Sequence, residues 1–549
     1  MQAQRKNIEH ISVALILSIM AFLMISSIAF KSRTSDEDSH LRYGIKMLNF
    51  NSDKVDGHDN SKMPFSIFNA IAVTYARNIL NFAGKGLKEN IREHLAYSLG
   101  RLITIIFALL LGLYVFKWTK ELYGSIPAIL SLILYAFSPN IIAHSRLITT
   151  DLYAALMVTL SAFYFWKFIR FGGWKRAILS ASMLGVSQLT KYSCLFLYPI
   201  FIIIVLIRYS HLIFRLIIEE NIKELFKCFK VFLKYIVLFL FISALIINIG
   251  FLFNKTFTPL SKYEFKSDLF KALKSIPGLE RIPVPLPYPF FQGLDMLKFH
   301  ENNHETYKNI YLLGKLKTKD DHPKGFKGYY FYAFLFKEPI PIQLFILFSI
   351  MILILNRKSH DFLKNELFLL IPVLFFTVYY NFFVTMNIGI RHMLVISPLL
   401  YIFCGNLFKK WISFDVKIKS ILIFLLIYLA ISVLSYFPHY LSYFNEIVWD
   451  RKQAYKLLAD SNIDWGQNSW YLRKYREKNP EIKILPEFPT SGKIVVSVNH
   501  LVGISDPERY KWLLQNFEPV DTVAYSYLVY DIFPEDLERI SKKYQKKDF

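Results

Sequence analysis

Apolar residues in this chain fall in long uninterrupted blocks, separated by charged stretches of very unequal length. Eleven blocks stand out, at 11–30, 102–116, 123–142, 152–168, 177–189, 192–207, 231–253, 339–355, 367–383, 393–408 and 421–437. The apolar residues of a soluble helix or strand recur with a period of 3.6 or 2 and leave one face polar. A solid run of about 17–25 apolar residues instead crosses the bilayer core as a helix. The blocks therefore predict a mostly α, polytopic membrane protein with about 11 transmembrane helices, two of them short for a core of roughly 30 Å. The first block exceeds the apolar region of a signal peptide, and no clear small-x-small cleavage site follows it, so it reads as an uncleaved first span.

The polar segments set the orientation. Arg5 and Lys6 precede the first block, "KFIRFGGWKR" follows the fourth, "NRK" the eighth and "KK" the tenth. All fall on one side if the N-terminus is cytoplasmic, as the positive-inside rule requires. An odd number of spans then puts the C-terminus outside, together with the long segments 31–97, 254–337 and 438–549. The expected setting is the plasma (inner) membrane. The expected division is a membrane domain over 1–437, with outer loops 31–97 and 254–337, and a C-terminal extracytoplasmic α/β domain over 438–549. In that tail "KIVVSVNHL" and "TVAYSYLVYDI" read as strands, and "PERYKWLLQNF" and "PEDLERISKKY" as helices opening near a proline. The basic segment 208–230 reads as an amphipathic helix on the cytoplasmic membrane surface. "IPGLERIPVPLPYP" reads as extended chain. The terminal "YQKKDF" looks like a dilysine retrieval signal, but such a signal needs a cytosolic tail.

Composition narrows the function classes. Of 549 residues 54% are hydrophobic and 17% aromatic, and the formal net charge is +23. In a membrane protein such an excess of Lys and Arg gathers at cytoplasmic loops and lipid headgroups, so nucleic acid is not the implied partner. The three cysteines, Cys194, Cys228 and Cys404, fall in spans or on the cytoplasmic side, which gives no disulfide framework and no cysteine metal site. No cofactor is implied: the chain has neither a Walker nor a Rossmann glycine signature, and no metal site is indicated, although a divalent ion is compatible with the carboxylates.

The chemistry gathers at the outer rim. Asp36, Glu37 and Asp38 follow the first span by some five residues, in "AFKSRTSDEDSHLRYG". One reading is a solvated loop at headgroup level. The other is a catalytic base held against an apolar wall, where a carboxyl's proton affinity can be raised. Other ionisable residues converge on the same rim. Lys62 shares the loop, Asp151 opens the fourth block, Lys191 sits between two short ones, and Arg391 and His392 open the tenth. Asp151 could equally be a helix cap, and Lys191 and Arg391 could reach for headgroups. Few charges lie mid-span, where a proton-coupled pump would carry them.

"DEDSHLRYG" resembles the D-E-x-x-H-x-x-x-G that opens the first outer loop of polyprenyl-phosphate-sugar-dependent glycosyltransferases of family 39. These membrane enzymes of the GT-C fold are related to protein O-mannosyltransferases and lipid A aminoarabinose transferases. Further segments match in the same order: "SKMP", "LYGSIPAILSLILYAFSPNIIAHSRLITTDLYAAL", "LTKYSCLFLYP", "LPYPFFQGL", "GYYFYAFLFKEPIP", "NIGIRHMLVISPLL" and "SYFNE…DSNIDWGQ". The resemblance implies transfer of one sugar from a polyprenyl-phosphate donor to an acceptor hydroxyl of a protein, lipid A or a glycan. It implies Asp36 as catalytic base with Glu37 beside it, and Asp151 as a second rim acid. Lys62, Lys191, Arg391 and His392 would hold the donor phosphate. His40, Arg42, Asp464 and Trp465 would recognise acceptor or sugar. "SKMP" departs from the family's usual H-P-P or K-P-P: Met63 replaces the first proline, and Ser61 stands where aminoarabinose transferases carry an acid. The rival readings are a polytopic transporter and an inactive membrane scaffold.

Overall fold

The structure, a computed structural model, describes residues 2–84, 86–303, 309–318, 325–355, 362–409 and 411–545. The basic loop at 356–358, Lys410 and the last four residues, used above for orientation and retrieval, lie outside them. All eleven apolar blocks carry a helix. Among the described residues six helices are long and apolar enough to cross a membrane: Lys6–Ile28, Glu89–Tyr123, Asp151–Phe171, Tyr192–Ile218, Ile222–Gly250 and Val416–Leu434. A bent pair, Tyr329–Lys337 and Ile340–Leu355, raises this to seven if counted as one span. Ser125–Ala136, Leu367–Phe382 and Ser397–Phe408 are shorter apolar helices. The sequence reads as about eleven spans, two of them short; among the described residues six or seven helices are full-length by this measure, and the remaining blocks carry shorter helices. The block at 123–142 breaks at Phe137 and Ser138 before the short helix Pro139–His144.

Asp151–Phe171 lies at the centre. Its apolar window is 83% buried, against 22% for the long helices at 192–218 and 222–250, which lie at the periphery with most of their side chains uncovered. Ser66–Ala83, Ser125–Ala136 and Asp151–Phe171 all pack on Glu89–Tyr123. The segment 208–230 is not a separate surface helix. Two helices, Leu197–Ile218 and Ile222–Gly250, run on through it and meet at a tight turn. Twenty-two and 29 residues at 1.5 Å each give about 33 and 44 Å, and the basic residues Arg215, Lys223, Lys227 and Lys230 near the hairpin tip are exposed.

The bend between Tyr329–Lys337 and Ile340–Leu355 is 115°. Its cause is Pro339, which disfavours helical backbone at the preceding Glu338, and Glu338 is extended at φ −91°, ψ 134°. The corner fastens the tail. The buried Lys337 ammonium donates to the carbonyls of Leu441, at 2.8 Å, and Asn462, at 2.6 Å. Glu338 accepts from Tyr401 at 2.7 Å and Asn140 at 3.0 Å.

The tail holds a four-stranded sheet in the order Lys483–Ile484, Gly492–Ser497, Tyr527–Ile532, Asp521–Val523. The first pair is parallel and the others antiparallel, with Val495 opposite Val529. Alternation sorts the side chains. Val495, Val523 and Val529 face Tyr471, Leu472 and Tyr475 of the helix Ser469–Lys478. Ile494, Val496, Leu528 and Tyr530 join the core that runs through the membrane helices. "TVAYSYLVYDI" is two strands rather than one, split where Ala524 and Tyr525 take positive φ. "KIVVSVNHL" ends in a helical turn at Val498–Leu501, and the helix read in "PERYKWLLQNF" is confined to Lys511–Asn516.

Candidate active site

The site begins where the first span ends. Residues 29–36 lead from Ile28 into the helix Glu37–Leu48, with Asp36 at its N-terminal boundary. Glu37 holds this passage in place. Its carboxylate accepts the Thr34 amide at 2.8 Å, the Ile148 amide at 3.0 Å, and two bonds from the Arg101 guanidinium at 2.8 and 2.7 Å. Arg101 also donates to the carbonyls of Lys31 and Ser32. Burial penalises the Glu37 carboxylate, but Arg101 and the two amides outweigh that and hold it below its ordinary value. The opposite edge of the passage pairs with the tail: Ser32 N–H donates to Gln467 O at 3.0 Å and Ser35 N–H to Trp465 O at 3.1 Å.

Asp36 is thereby aimed at Arg391, whose Nη1 donates to Asp36 Oδ2 at 2.9 Å and stands 4.0 Å from Asp151 Oδ2. Lys191 Nζ donates to Asp151 Oδ1 at 2.7 Å. The Arg391 guanidinium also lies over the Trp465 ring, 4.1 Å from its centroid. Asp151 is the first residue of its helix and makes an ion pair there; the cap position is Thr150. Lys62 and His40 face each other, Nζ to Nε2, at 3.5 Å. His392 bonds Tyr330 through Nδ1 at 3.0 Å. Ser35, Asp36, Arg391, Asp460, Asp464, Trp465, Gly466 and Asn499 enclose a cavity of about 240 Å³. Ser35 and Gly466 are exposed at its rim.

The rim residues read from the sequence thus come together from segments hundreds of positions apart. Asp36, Arg391, Asp464 and Trp465 line the cavity. Asp151, Lys191, Lys62, His40 and His392 lie in the network around it. Glu37 faces Arg101 instead and is fully buried, while Arg42 is exposed and lies outside the lining. Arg101 and Asn499 were not singled out. Arg101 had a signal, standing immediately before the apolar block 102–116. Asn499, which accepts the Asp460 amide at 2.8 Å and donates to Asp464 O at 2.9 Å, had none. Among the described residues no three His, Cys, Asp or Glu side chains are grouped to hold a metal ion.

The charges are unevenly matched. Burial pushes the Asp36 carboxyl up, but Arg391, Lys62 and His40 together hold it below the usual carboxylate range. Burial keeps the imidazoles of His40 and His392 neutral, with the nearby cations adding to the effect. It also lowers Lys62, against the pull of Asp36. Asp460 and Asp464 go the other way, each pushed up to about 6 by burial.

Residues 97–247 match the family model described as dolichyl-phosphate-mannose-protein mannosyltransferase. No protein of curated function matches the sequence. Among solved structures, the archaeal oligosaccharyltransferase AglB from Archaeoglobus fulgidus, in complex with an inhibitory peptide and a dolichol-phosphate, is similar at 12% identity and a TM-score of 0.46, over 86% of this chain and 60% of that one. The chain therefore spans less than two thirds of that protein's length. ArnT from Cupriavidus metallidurans, bound to undecaprenyl phosphate, is similar at 11% identity and a TM-score of 0.44, over 94% of this chain and 97% of that one. The chain is a multi-pass membrane protein similar to the polyprenyl-phosphate-sugar-dependent glycosyltransferases of family 39, the likeness carried by its ordered motifs and by the family match over 97–247.

Proposed function

We propose that the chain is a membrane glycosyltransferase that moves one sugar from a polyprenyl phosphate to an acceptor hydroxyl on the outer face of the membrane. The observation that carries this reading is the cavity where Asp36 and Arg391 meet at the ends of apolar helices. A lipid tail can lie along those helices while its phosphate stays at the rim. Asp36 takes the proton of the acceptor hydroxyl as its oxygen attacks the anomeric carbon. The bond to phosphate breaks, and its electron pair leaves on the phosphate oxygen. That leaving group is already an anion, so it needs cations rather than a general acid. Arg391, Lys191, Lys62 and the neutral His392 supply positive charge and N–H groups around it. A single displacement inverts the anomeric centre.

In the resting state Arg391 is committed to Asp36, which makes Asp36 a weak base. A donor phosphate competes for the same guanidinium and frees the carboxylate when the substrate is in place. Glu37 positions Asp36 through the Thr34 amide and Arg101. Asp464 and Trp465, with His40 nearer Lys62, contact sugar or acceptor; Arg42, on the exposed face, is assigned to a large acceptor such as a protein, lipid A or a glycan. The chain divides into a membrane domain, 1–437, and an extracytoplasmic tail, 438–549, in the plasma membrane with its N-terminus cytoplasmic. The test supplies purified protein with a panel of polyprenyl-phosphate sugars, and with the matching nucleotide sugars, in vesicles of known orientation. Release of polyprenyl phosphate with sugar transfer is expected. Transfer from a nucleotide sugar with no lipid donor present overturns the reading.

A further inference from the structure

The tail does not leave the membrane domain directly. After the last span, Val416–Leu434, the chain turns back, and residues 443–451 run alongside the helix they have just left. The hydroxyls of Tyr443 and Ser432 are 2.9 Å apart, and Glu446 accepts from Tyr428 at 2.7 Å and from Ser432. Arg451 donates to Ser435 Oγ at 2.7 Å and covers the Tyr436 ring, 4.0 Å from its centroid. On its other side the stretch is fastened to the bent pair. The Asn445 side-chain amide donates to the carbonyls of Leu335, at 2.6 Å, and Glu338, at 2.7 Å, and its backbone N–H donates to Phe336 O at 2.9 Å. Tyr443, Phe444 and Val448 are buried by this packing. Ile447 and Trp449 are not: they are 50% and 95% exposed, in a turn that the bonds on both sides hold still.

We infer that Ile447 and Trp449 are a lipid contact of the tail, inserted at the boundary between acyl chains and headgroups beside the last span. Depth comes from the length of that span. It has 19 residues, about 28 Å at 1.5 Å each, no longer than a hydrocarbon core of roughly 30 Å. The helix has no length to spare, so a turn bonded to Tyr428 and Ser432, in its last two turns, sits at the boundary rather than out in water. The occupant follows from continuity. Phe424, Ile427, Ile431 and Leu434 are exposed at the spacing of a single helix face. Such a face on a span meets lipid. Tyr428 and Ser432 stand next to Ile427 and Ile431, so the turn they hold adjoins that face and prolongs it. Indole suits the place, with an apolar ring for the acyl chains and an N–H for headgroup or water. The one charge brought down with the turn, on Glu446, is met by two hydroxyls. The contact bears on the cavity as well. The helical turn Arg451–Lys456 follows directly, and Asp460, Asp464 and Trp465 of the cavity wall come next. A tail seated on lipid at Trp449 keeps that wall at membrane level. The inference stands on the fold and does not depend on the reaction proposed above.

The experiment places the full chain in liposomes and takes the fluorescence of Trp449 as the difference between wild type and Trp449→Phe. Lipid brominated near the headgroup end of its acyl chains quenches from within the membrane, and acrylamide quenches from the water. The difference signal is expected to lose most of its intensity to the brominated lipid and little to acrylamide. A signal quenched by acrylamide and untouched by the lipid puts the turn in water and overturns the contact. A signal shielded from both means that protein covers the turn, a second copy of this chain included, and overturns it too. A second variant gives an independent reading. Ile447→Cys carries a nitroxide, in a chain where Cys228, the one native cysteine that is not buried, is replaced by Ser. Oxygen, which concentrates in lipid, is expected to relax this label more than a water-soluble nickel complex does, and the reverse order overturns the contact. Neither measurement needs a turnover, so failure here and failure of the proposed function are separable.

Discussion

Adjacent residues 36 and 37 have opposite fates, and the sequence shows both as acids. Replacing Asp36 by Asn keeps its shape and removes its proton affinity, so turnover should drop at least ~100-fold in the polyprenyl-phosphate release assay. Glu37→Gln should instead lose stability. It leaves Arg101, 1% exposed, buried without a counter-charge, which costs about 3–5 kcal/mol, read as a lowered unfolding temperature in detergent. The pair also fixes a pH dependence. Glu37 lies below its ordinary value of 4.5 in the folded protein, so its contribution is complete above about pH 4.5 and drains away as the pH falls through the lower folded value. Arg391→Lys should weaken donor use more than Lys191→Arg. Arg391 addresses Asp36, Asp151 and the Trp465 ring from one planar fork, which an ammonium cannot copy, whereas Lys191 makes a simple contact with Asp151.

The helices explain the motif's glycine. A Cβ on Gly44 would stand 2.4 Å from the Ser66 carbonyl oxygen, where the helix Glu37–Leu48 crosses Ser66–Ala83. That obstacle is backbone and cannot rotate aside. Gly44→Ala should therefore push the helix carrying Asp36 outward, at a cost of about 1–3 kcal/mol, and lower activity with stability in the same preparation. Elements were legible where composition is extreme. All eleven apolar blocks carry a helix, because a long apolar run in lipid must satisfy its backbone hydrogen bonds within itself. Their ends were less legible. The break at Phe137 and Ser138, where Ser138 caps the next helix by accepting the Ile141 amide, was not read, and the continuation of two helices through 208–230 depends on their packing as a hairpin. Asp36 and Arg391 could be singled out because charge beside an apolar span is conspicuous, and Trp465 because it stands in the motif "DSNIDWGQ" of the tail. That they touch one another could not be read, since 355 positions separate Asp36 from Arg391.

At the scale of the whole molecule, the proposed orientation has a direct check. A reporter active only outside the cytoplasm should work when fused after Phe549 and be silent after Arg357; the reverse would move every rim residue to the other face. The bonds from Ser32 and Ser35 to Gln467 and Trp465 have a consequence of a different kind. They join the first polar loop to a stretch more than 400 residues later. In the proposed orientation that loop would cross the membrane early in synthesis and then wait, with Asp36 in place but no far wall to its cavity. Only when the last span is threaded and the tail exported can the cleft close, so nascent chains of every shorter length should be catalytically silent. The order of synthesis alone would then keep an unfinished protein from consuming lipid-linked sugar.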